Sequence, residues 1–434
     1  MSNLLALKQR LNLGKNVTFA VGEFSVNMAL LFFSYRLIIL QGGLEAVGVW
    51  ATLNAWANLI RLGDAGVAGA AARFLALWDI KKEPERIRAH GETALLTNIA
   101  QFGLLTVVGY AALSLSISGI VGEKHAAEAL EFLPYMMLGF LLLNVSGTVL
   151  GILQGLHLGY RRSQLSVLGT SIQLAAVFAF VPTHGLMGLA LAQILQHAVM
   201  IIIGWSIARR LMGSRHLPTR FDRSAFLAML GYSLKAQVVN IANGLLEPVS
   251  KMLVGYFGGM ATQGLYELAF KTVLLPRNLI GFAASATIPA MTALFQDNKT
   301  ELHRLYAFTL RLSIVYTVFA TLALIAIAPI FSRLWLGDVD DTYWLYVALL
   351  AVGFSFSALG APAFILGIAS GCLRVNIMVA IATLSTLVIV GSILGRIVGG
   401  NGVVIAVSLS YAVFAWLMLS MGSPKKMLPI RTSL

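Results

Sequence analysis

Residues 93–118 read TALLTNIAQFGLLTVVGYAALSLSIS, a run that contains no Asp, Glu, Lys or Arg. A helix needs about 20 mostly apolar residues to cross the hydrocarbon core of a bilayer, so this run is long enough to span one. Its apolar and polar residues do not alternate, as they would in a strand of a membrane barrel. The run therefore predicts a transmembrane helix.

The composition of the whole chain agrees with this interpretation. Of 434 residues, 58% are hydrophobic and only 11% are charged, with a mean hydropathy of +0.83. Soluble domains have about 45–50% apolar and about 25% charged residues. We therefore predict an all-α membrane protein. The single cysteine, Cys372, excludes an internal disulfide and a cysteine-based metal cluster, and no cofactor or metal site is expected.

Apolar runs of similar length recur along the chain. At about 30–36 residues for each span and its connection, the chain has room for about twelve spans. We predict spans at residues 16–40, 44–62, 93–118, 132–153, 164–182, 185–208, 226–257, 263–295, 305–329, 342–368, 375–397 and 401–421.

Lysine and arginine are unevenly divided between the connections. With the N-terminus inside, the inner connections hold 22 of the 31, the outer ones hold 3, and 6 lie within spans. Because positive charge is retained on the cytoplasmic side, this bias predicts a multi-pass protein of the inner membrane with both termini in the cytoplasm. It accounts for most of the net charge of +13, so we expect membrane lipids and no nucleic acid as partners of the basic surface.

Short sequence matches indicate an internal duplication. Leu150-Gly151-Ile152-Leu153-Gln154-Gly155 resembles Leu366-Gly367-Ile368-Ala369-Ser370-Gly371 at an offset of 216 residues. Three further matches, at nearly the same offset, pair residues 47–50 with 263–266, 121–123 with 336–338, and 188–192 with 402–406. Six spans per half is an even number, so we expect two parallel six-helix lobes, related by a pseudo-two-fold axis along the membrane normal.

The duplication suggests a domain division. We predict an N-terminal lobe at 1–212, a basic cytoplasmic linker at 213–225, and a C-terminal lobe with a short cytoplasmic tail at 226–434. In transporters with parallel repeats, the substrate site lies between the halves.

Charged residues occur inside several predicted spans. Facing lipid at mid-bilayer, each would cost about 2.5–3.5 kcal/mol, so together they must pair, reach the interface or face a wet cavity. They are Glu23, Arg36, Lys235, Glu247, Lys251, Glu267, Lys271, Arg277 and Arg311.

Helical spacing places many of these charges in polar stripes. At 100° per residue, the polar residues of each of three spans share one face. The stripes are Asn16, Glu23, Asn27 and Ser34; Asn240, Asn243, Glu247 and Lys251; and Gln263, Glu267, Lys271, Asn278 and Ser285. Such stripes are typical of a central cavity. Two alternatives remain: the i, i+4 Glu–Lys pairs neutralise each other, and Arg36 and Lys235 extend to the interface.

Arg277 and Glu23 differ from the other charges because neither has an opposite charge three or four residues away. Arg277 follows Pro276, which removes a backbone donor near mid-depth. A cation in that position suits an anionic ligand. A desolvated carboxyl at Glu23 suits uptake of a coupling proton or sodium ion, and Glu247 and Glu267 are further candidates for this coupling role.

Several motifs resemble the polysaccharide transporter family, which includes the O-antigen flippases, within the multidrug/oligosaccharidyl-lipid/polysaccharide exporter (MOP) superfamily. These motifs are Gly264-Leu265-Tyr266, Ala286-Thr287-Ile288-Pro289, Leu334-Trp335-Leu336-Gly337, Leu62-Gly63-Asp64-Ala65-Gly66 with Arg73, and Gly151-Ile152-Leu153-Gln154-Gly155. The resemblance covers nearly the whole chain.

The resemblance implies an alternating-access flippase for a polyprenyl-pyrophosphate-linked oligosaccharide, an O-antigen or exopolysaccharide unit, with polysaccharide polymerase machinery as a candidate partner. It also implies a cationic cleft between the lobes. The residues of this chain that suit the substrate there are Arg277, Lys251, Lys271, Lys235, Arg36, Asn240 and Asn278.

Two other functions compete with the flippase. An ion-coupled exporter of drugs or organic solutes, from the same superfamily, would favour acidic residues in its cavity, whereas here bases outnumber acids in the spans by six to three. A membrane sugar polymerase or ligase would need a large outer loop, and the predicted outer connections are short. We therefore expect a transporter without catalytic residues.

Overall fold

The computed structural model describes residues 2–78, 82–285, 287–371 and 373–422. Every regular element in this part of the chain is an α-helix. The helices are α1 Ser2–Arg61, α2 Val67–Leu77, α3 Pro84–Val121, α4 Glu123–Gly155, α5 Gly159–Met212, α6 Arg223–Gly244, α7 Leu246–Ser285, α8 Ile288–Asp297, α9 Lys299–Leu336, α10 Asp341–Ser370, α11 Leu373–Val398 and α12 Gly400–Met421.

Three of the longest helices are divided by a glycine with positive φ. The glycines are Gly43 in α1 (φ 67°), Gly185 in α5 (φ 53°) and Gly259 in α7 (φ 74°). A straight helix of the 60 residues in α1 would be about 90 Å long, three times the ~30 Å hydrocarbon core. The glycine is therefore where one span ends and the next begins, since glycine takes positive φ without a Cβ clash.

The described helices confirm the predicted fold class. Eight of them are long and apolar enough to cross a membrane, and two of these, α1 and α5, are divided by their glycines. The arms of α1 and α5 with α3 and α4 give six spans in the first half of the chain. In the second half, α6 continued by the first arm of α7, the second arm of α7, and α9–α12 give six more. The short helices α2 and α8 stand apart from this count.

Two predicted spans need correction. The span predicted at 226–257 is interrupted at Leu245, between α6 and α7, because Pro248 has no N–H to donate to the carbonyl one turn earlier. The span predicted at 263–295 is wrong at its end, since α7 stops at Ser285 and the separate helix α8 follows. A proline in the first turn of α8 fits a new helix start rather than a helix interior.

The described chain forms two compact units. The first comprises Met1–Gly42 and Ala57–Gln237, and the second comprises Gly43–Trp56 and Val238–Leu434. Each has its own apolar core. Leu75, Val149 and Leu165 are buried in the core of the first unit, and Met291, Ile365 and Val379 are buried in the core of the second. These three pairs of core residues are 216, 216 and 214 positions apart, so the two cores are built at equivalent positions of the duplicated sequence.

Candidate functional site

Four charged side chains of α7 meet in one cluster in the second unit. Glu247 and Lys251 lie on the arm before Gly259, and Glu267 and Lys271 lie on the arm after it. The ammonium Nζ of Lys251 lies 2.8 Å from Glu247 Oε1 and 2.8 Å from Glu267 Oε2. Lys271 Nζ lies 3.4 Å from Glu267 Oε1 and 4.0 Å from Glu247 Oε1. The two acids and two bases therefore balance in charge.

Burial differs sharply within this α7 charge cluster. The side chains of Lys251 and Glu267 are only 4% and 3% exposed, whereas those of Glu247 and Lys271 are 35% and 22% exposed. Lys251 also lies 5.3 Å from the ring centroid of Phe270, a distance at which an aromatic face attracts a cation. Lys251 and Glu267 are thus the inner pair, and Glu247 and Lys271 are the accessible pair.

Neutral polar groups support the cluster. Ser250 donates from its hydroxyl to the backbone carbonyl of Glu247, and the hydroxyl of Tyr266 donates to Ser250 Oγ at 2.9 Å. Gln263, one turn before Glu267, is completely buried. Neither polar atom of its amide has a hydrogen-bond partner among the described residues. The cluster therefore has a further polar group beside it that can bond to something else.

Arg277 lies two turns beyond Glu267 on α7, among aromatic rings. Its guanidinium carbon lies 4.7 Å from the ring centroid of Phe354 and 5.4 Å from that of Tyr411. Tyr316 donates to the carbonyl of Pro276 at 2.8 Å and so fixes the backbone beside Arg277. In the described part of the chain no carboxylate forms an ion pair with Arg277, so its charge is balanced only by the aromatic faces.

An open cavity of about 270 Å³ adjoins Arg277. The side chains that supply its polar surface, besides Arg277, include hydroxyls of α9 and α10, and Thr321 and Ser355 are hydrogen-bonded to each other. The remaining wall is largely apolar, from residues such as Ile280, Leu324 and Phe354. A cavity with one cation, several hydroxyls and apolar walls can hold an anionic group that is attached to a less polar body.

Glu23 lies on α1 in the first unit. Ser166 donates from its hydroxyl to Glu23 Oε1 at 2.7 Å, and the side-chain amide of Asn27 donates to the Glu23 carbonyl. The carboxylate is partly exposed and has a neutral partner rather than a base. Arg36, also on α1, is partly buried and interacts with another group.

The structure brings together some of the residues singled out from the sequence and separates others. Glu247, Lys251, Glu267 and Lys271 form one cluster, and Arg277 lines the cavity. Asn278 is exposed and does not line it. Glu23 and Arg36 lie in the other unit, and the side chains of Lys235 and Asn240 lie outside the described residues. In the described ranges, no group of three His, Cys, Asp or Glu side chains could hold a metal ion.

Sequence reasoning missed the aromatic surroundings of Arg277. Phe354 and Tyr411 lie in long apolar spans, α10 and α12, where one aromatic residue among many does not indicate which face it occupies. Tyr316 lies in α9 among apolar residues as well. Only the tertiary contacts of α7 with these three helices reveal the site.

Comparison with known proteins adds a family and a fold. The family model described as polysaccharide biosynthesis protein matches residues 79–344 of this chain. No protein of curated function matches the sequence.

Solved structures resemble the chain over almost its full length. An inward-facing multidrug resistance MATE family transporter of the MOP superfamily is 16% identical, with a TM-score of 0.78, over 96% of this chain and 100% of that one. An outward-facing MATE family transporter is 17% identical, with a TM-score of 0.68, over 96% and 95%. A MOP superfamily transporter from Pyrococcus furiosus, with a binding pocket of reversed polarity, is 16% identical, with a TM-score of 0.68, over 97% and 96%. At these identities the likeness concerns the fold.

Proposed function

The chain belongs to the polysaccharide biosynthesis protein family, and from this we propose that it is a flippase. The cargo would be a polyprenyl-pyrophosphate-linked oligosaccharide, moved from the cytoplasmic to the outer leaflet of the inner membrane by alternating access. Residues 1–212 and 226–434 would be the two moving lobes, joined by the cytoplasmic linker 213–225. Both termini would lie in the cytoplasm, and polysaccharide polymerase machinery would take over the product.

The observation that carries this proposal is the state of Arg277. The guanidinium adjoins a cavity and has aromatic rings but no carboxylate around it among the described residues. A buried cation without a counter-ion is costly, and a guanidinium binds phosphate oxygens through paired hydrogen bonds. A pyrophosphate head would supply the missing charge, while the hydroxyls of the cavity wall suit the adjoining sugar.

The remaining charges divide into supporting roles. Lys271, which is partly exposed and 3.4 Å from its nearest carboxylate oxygen, is the second cation that we assign to the substrate. Glu23 is the carboxylate that we assign to a coupling proton or sodium ion, because its partner is the neutral Ser166.

The test measures translocation by purified protein in vesicles. A polyprenyl-pyrophosphate-linked oligosaccharide is incorporated, and the outer-leaflet fraction is followed with a hydrolase that cannot cross the bilayer. Loss of a charge-assisted hydrogen bond costs about 1.5–3 kcal/mol, so we expect Arg277→Ala to slow translocation by about tenfold to a hundredfold. Arg277→Lys should retain part of the rate, since its charge remains without the bidentate geometry.

The matched control is Arg304→Gln, which removes an exposed arginine that pairs with Glu301 on the surface and should leave the rate unchanged. Normal translocation by correctly inserted Arg277→Ala protein would contradict the role of Arg277. Absence of any translocation by the unaltered chain would contradict the flippase itself.

A second candidate function is ion-coupled export of an organic solute, and Glu23 is the observation in its favour. A carboxylate without a base beside it can bind a cationic solute or exchange it for a proton. Efflux of fluorescent organic cations from the same vesicles distinguishes the two functions. Cation efflux that Glu23→Gln abolishes, with no movement of the lipid-linked sugar, would favour the exporter.

A further inference from the structure

The ammonium of Lys251 occupies a position that is bounded by carboxylates from both arms of α7. Its Nζ lies 2.8 Å from an oxygen of Glu247 and 2.8 Å from an oxygen of Glu267. Only 4% of the lysine side chain is exposed, so water contributes little to its solvation. Carboxylate oxygens are also the ligands that hard metal cations select in proteins.

The charge balance of the α7 charge cluster depends on this one side chain. Glu247 and Glu267 bring two negative charges, and Lys251 and Lys271 bring two positive ones. Without Lys251, one negative charge would remain uncompensated beside the completely buried Tyr266 and Phe270. Such a charge is strongly destabilising, so a cation or a proton from solution would have to replace the lysine.

We propose that the Lys251 ammonium is a resident counter-ion that fills a monovalent-cation position between Glu247 and Glu267, so that this cluster takes up no sodium ion or proton from solution. The stem of the lysine tethers the charge to the helix, and the cation cannot dissociate during a transport cycle. Lys251 therefore keeps the two arms of α7 joined under all ionic conditions.

This inference rests on the proposed transport function for its meaning, because it locates ion coupling outside the α7 charge cluster and leaves Glu23 as the coupling carboxylate. It replaces, for Glu247 and Glu267, the coupling role suggested by their position in the sequence. The test is independent of transport, since it measures unfolding of the purified chain, and a failure of the flippase assay does not affect it.

The experiment follows thermal unfolding of the full chain in detergent, in sodium, potassium or N-methylglucamine chloride at equal ionic strength. We expect the unaltered protein to show the same midpoint in all three salts. Lys251→Met removes the ammonium and retains most of the apolar stem. We expect this variant to unfold earlier in N-methylglucamine and to recover by at least about 2 °C in sodium or potassium, since a ligand of the folded state alone stabilises it.

A proton can replace the lysine instead of a metal cation, and an acidic-pH arm detects it. The titratable groups that face Lys251 are Glu247, Glu267 and Lys271, with Tyr266 linked to them through Ser250. The phenol of Tyr411 lies within the field of Glu247 and Arg277. If folded Lys251→Met binds one more proton than its unfolded chain, its stability falls as pH rises. We therefore expect this variant to recover relative to the unaltered protein at acidic pH.

The control is the double variant Lys251→Met with Glu247→Gln, in which Glu267 and Lys271 again balance. It should fold and show neither cation nor pH dependence of this kind. The proposal is overturned if the unaltered protein is stabilised by sodium and Glu247→Gln or Glu267→Gln abolishes that effect. It is equally overturned if folded Lys251→Met responds to neither cations nor protons, or if both the single and the double variant fail to fold.

Discussion

At the residue scale, two glycines determine how closely the arms of α1 and α7 approach within the second unit. A Cβ on Gly48 would overlap the backbone carbonyl of Met260, and a Cβ on Gly264 would overlap the carbonyl of Leu44. Gly48 and Gly264 are equivalent positions of the duplicated sequence, 216 residues apart. The close contact thus uses the same glycine of both repeats, and each of the two touches the backbone of the other arm.

We predict that Gly48→Ala and Gly264→Ala each lower the free energy of unfolding by about 1–3 kcal/mol, because backbone atoms cannot move aside as a flexible side chain can. Thermal unfolding of the purified variants measures this loss. Gly119→Ala is the matched control, since nothing lies within 4 Å of its added Cβ. There alanine should be neutral or slightly stabilising in a helix. Equal behaviour of all three variants would contradict the close contact.

Sequence reasoning reached part of the site at this scale. The i, i+4 spacing predicted the pairing of Lys251 with Glu247, and this pairing is confirmed at 2.8 Å. The shorter of the two contacts of Glu267, that with Lys251, joins the two arms across Gly259, and spacing along one helix cannot predict it. The aromatic cradle of Arg277 likewise depends on how α10 and α12 pack against α7. Helical periodicity gives the face of a residue, whereas its partners depend on tertiary packing.

At the element scale, the segment between α5 and α6 is held to the start of α3. Glu92 is completely buried, and its Oε2 accepts hydrogen bonds from the backbone amides of Thr219 (2.8 Å) and Arg220 (2.7 Å). Arg88 donates to the other carboxylate oxygen at 2.8 Å. One carboxylate therefore anchors two consecutive amides of the segment that sequence analysis identified as the linker.

We predict that Glu92→Ala releases this segment, because the two amides and Arg88 lose their shared acceptor. Limited trypsin digestion of the folded protein measures the release, with cleavage after Arg215 and Arg220 expected to accelerate at least about tenfold. Glu85→Gln is the matched control: Glu85 is 72% exposed and pairs with Arg220 on the surface, where an ion pair contributes about 0–1 kcal/mol. Equal cleavage of both variants would show that Glu92 is not the anchor.

The elements themselves were largely predictable from apolar runs. The surface helix expected before Trp78 is confirmed as α2, and the all-helical content follows from the composition. Prolines account for the failures, since Pro248 and Pro289 mark helix starts inside runs that are apolar on both sides. Hydropathy is insensitive to a missing N–H, and a run of suitable length is therefore too easily assigned to one span.

At the scale of the whole molecule, the duplication suggested by short sequence matches recurs in the backbone. Positive φ occurs at Gly43 and Gly259, at Gly122 and Gly337, and at Gly185 and Gly399. These pairs are 216, 215 and 214 residues apart, the same offsets as the sequence matches. Each glycine ends a helix or divides one, so the repeat preserves the turns between spans. Sequence reveals this repeat because the backbone at these turns requires glycine, whereas most apolar positions tolerate substitution.

The orientation of these repeats in the membrane is the last prediction, and it follows from the distribution of charge. We expect both termini and the connections before α3 and α9 to face the cytoplasm, because lysine and arginine concentrate there. The connections after α3 and α9 should then face outward. Single cysteines in a Cys372→Ser background test this, at Arg86 and Lys299 for the inner side and at Glu123 and Val339 for the outer side; all four residues are exposed. In intact cells, a membrane-impermeant maleimide should label only Glu123→Cys and Val339→Cys, and opening the membrane should expose Arg86→Cys and Lys299→Cys. The two members of each half are equivalent in the repeat, so labelling of Glu123→Cys without Val339→Cys would imply an odd number of spans between them. That result would contradict the parallel duplication even if the helices themselves were correctly identified.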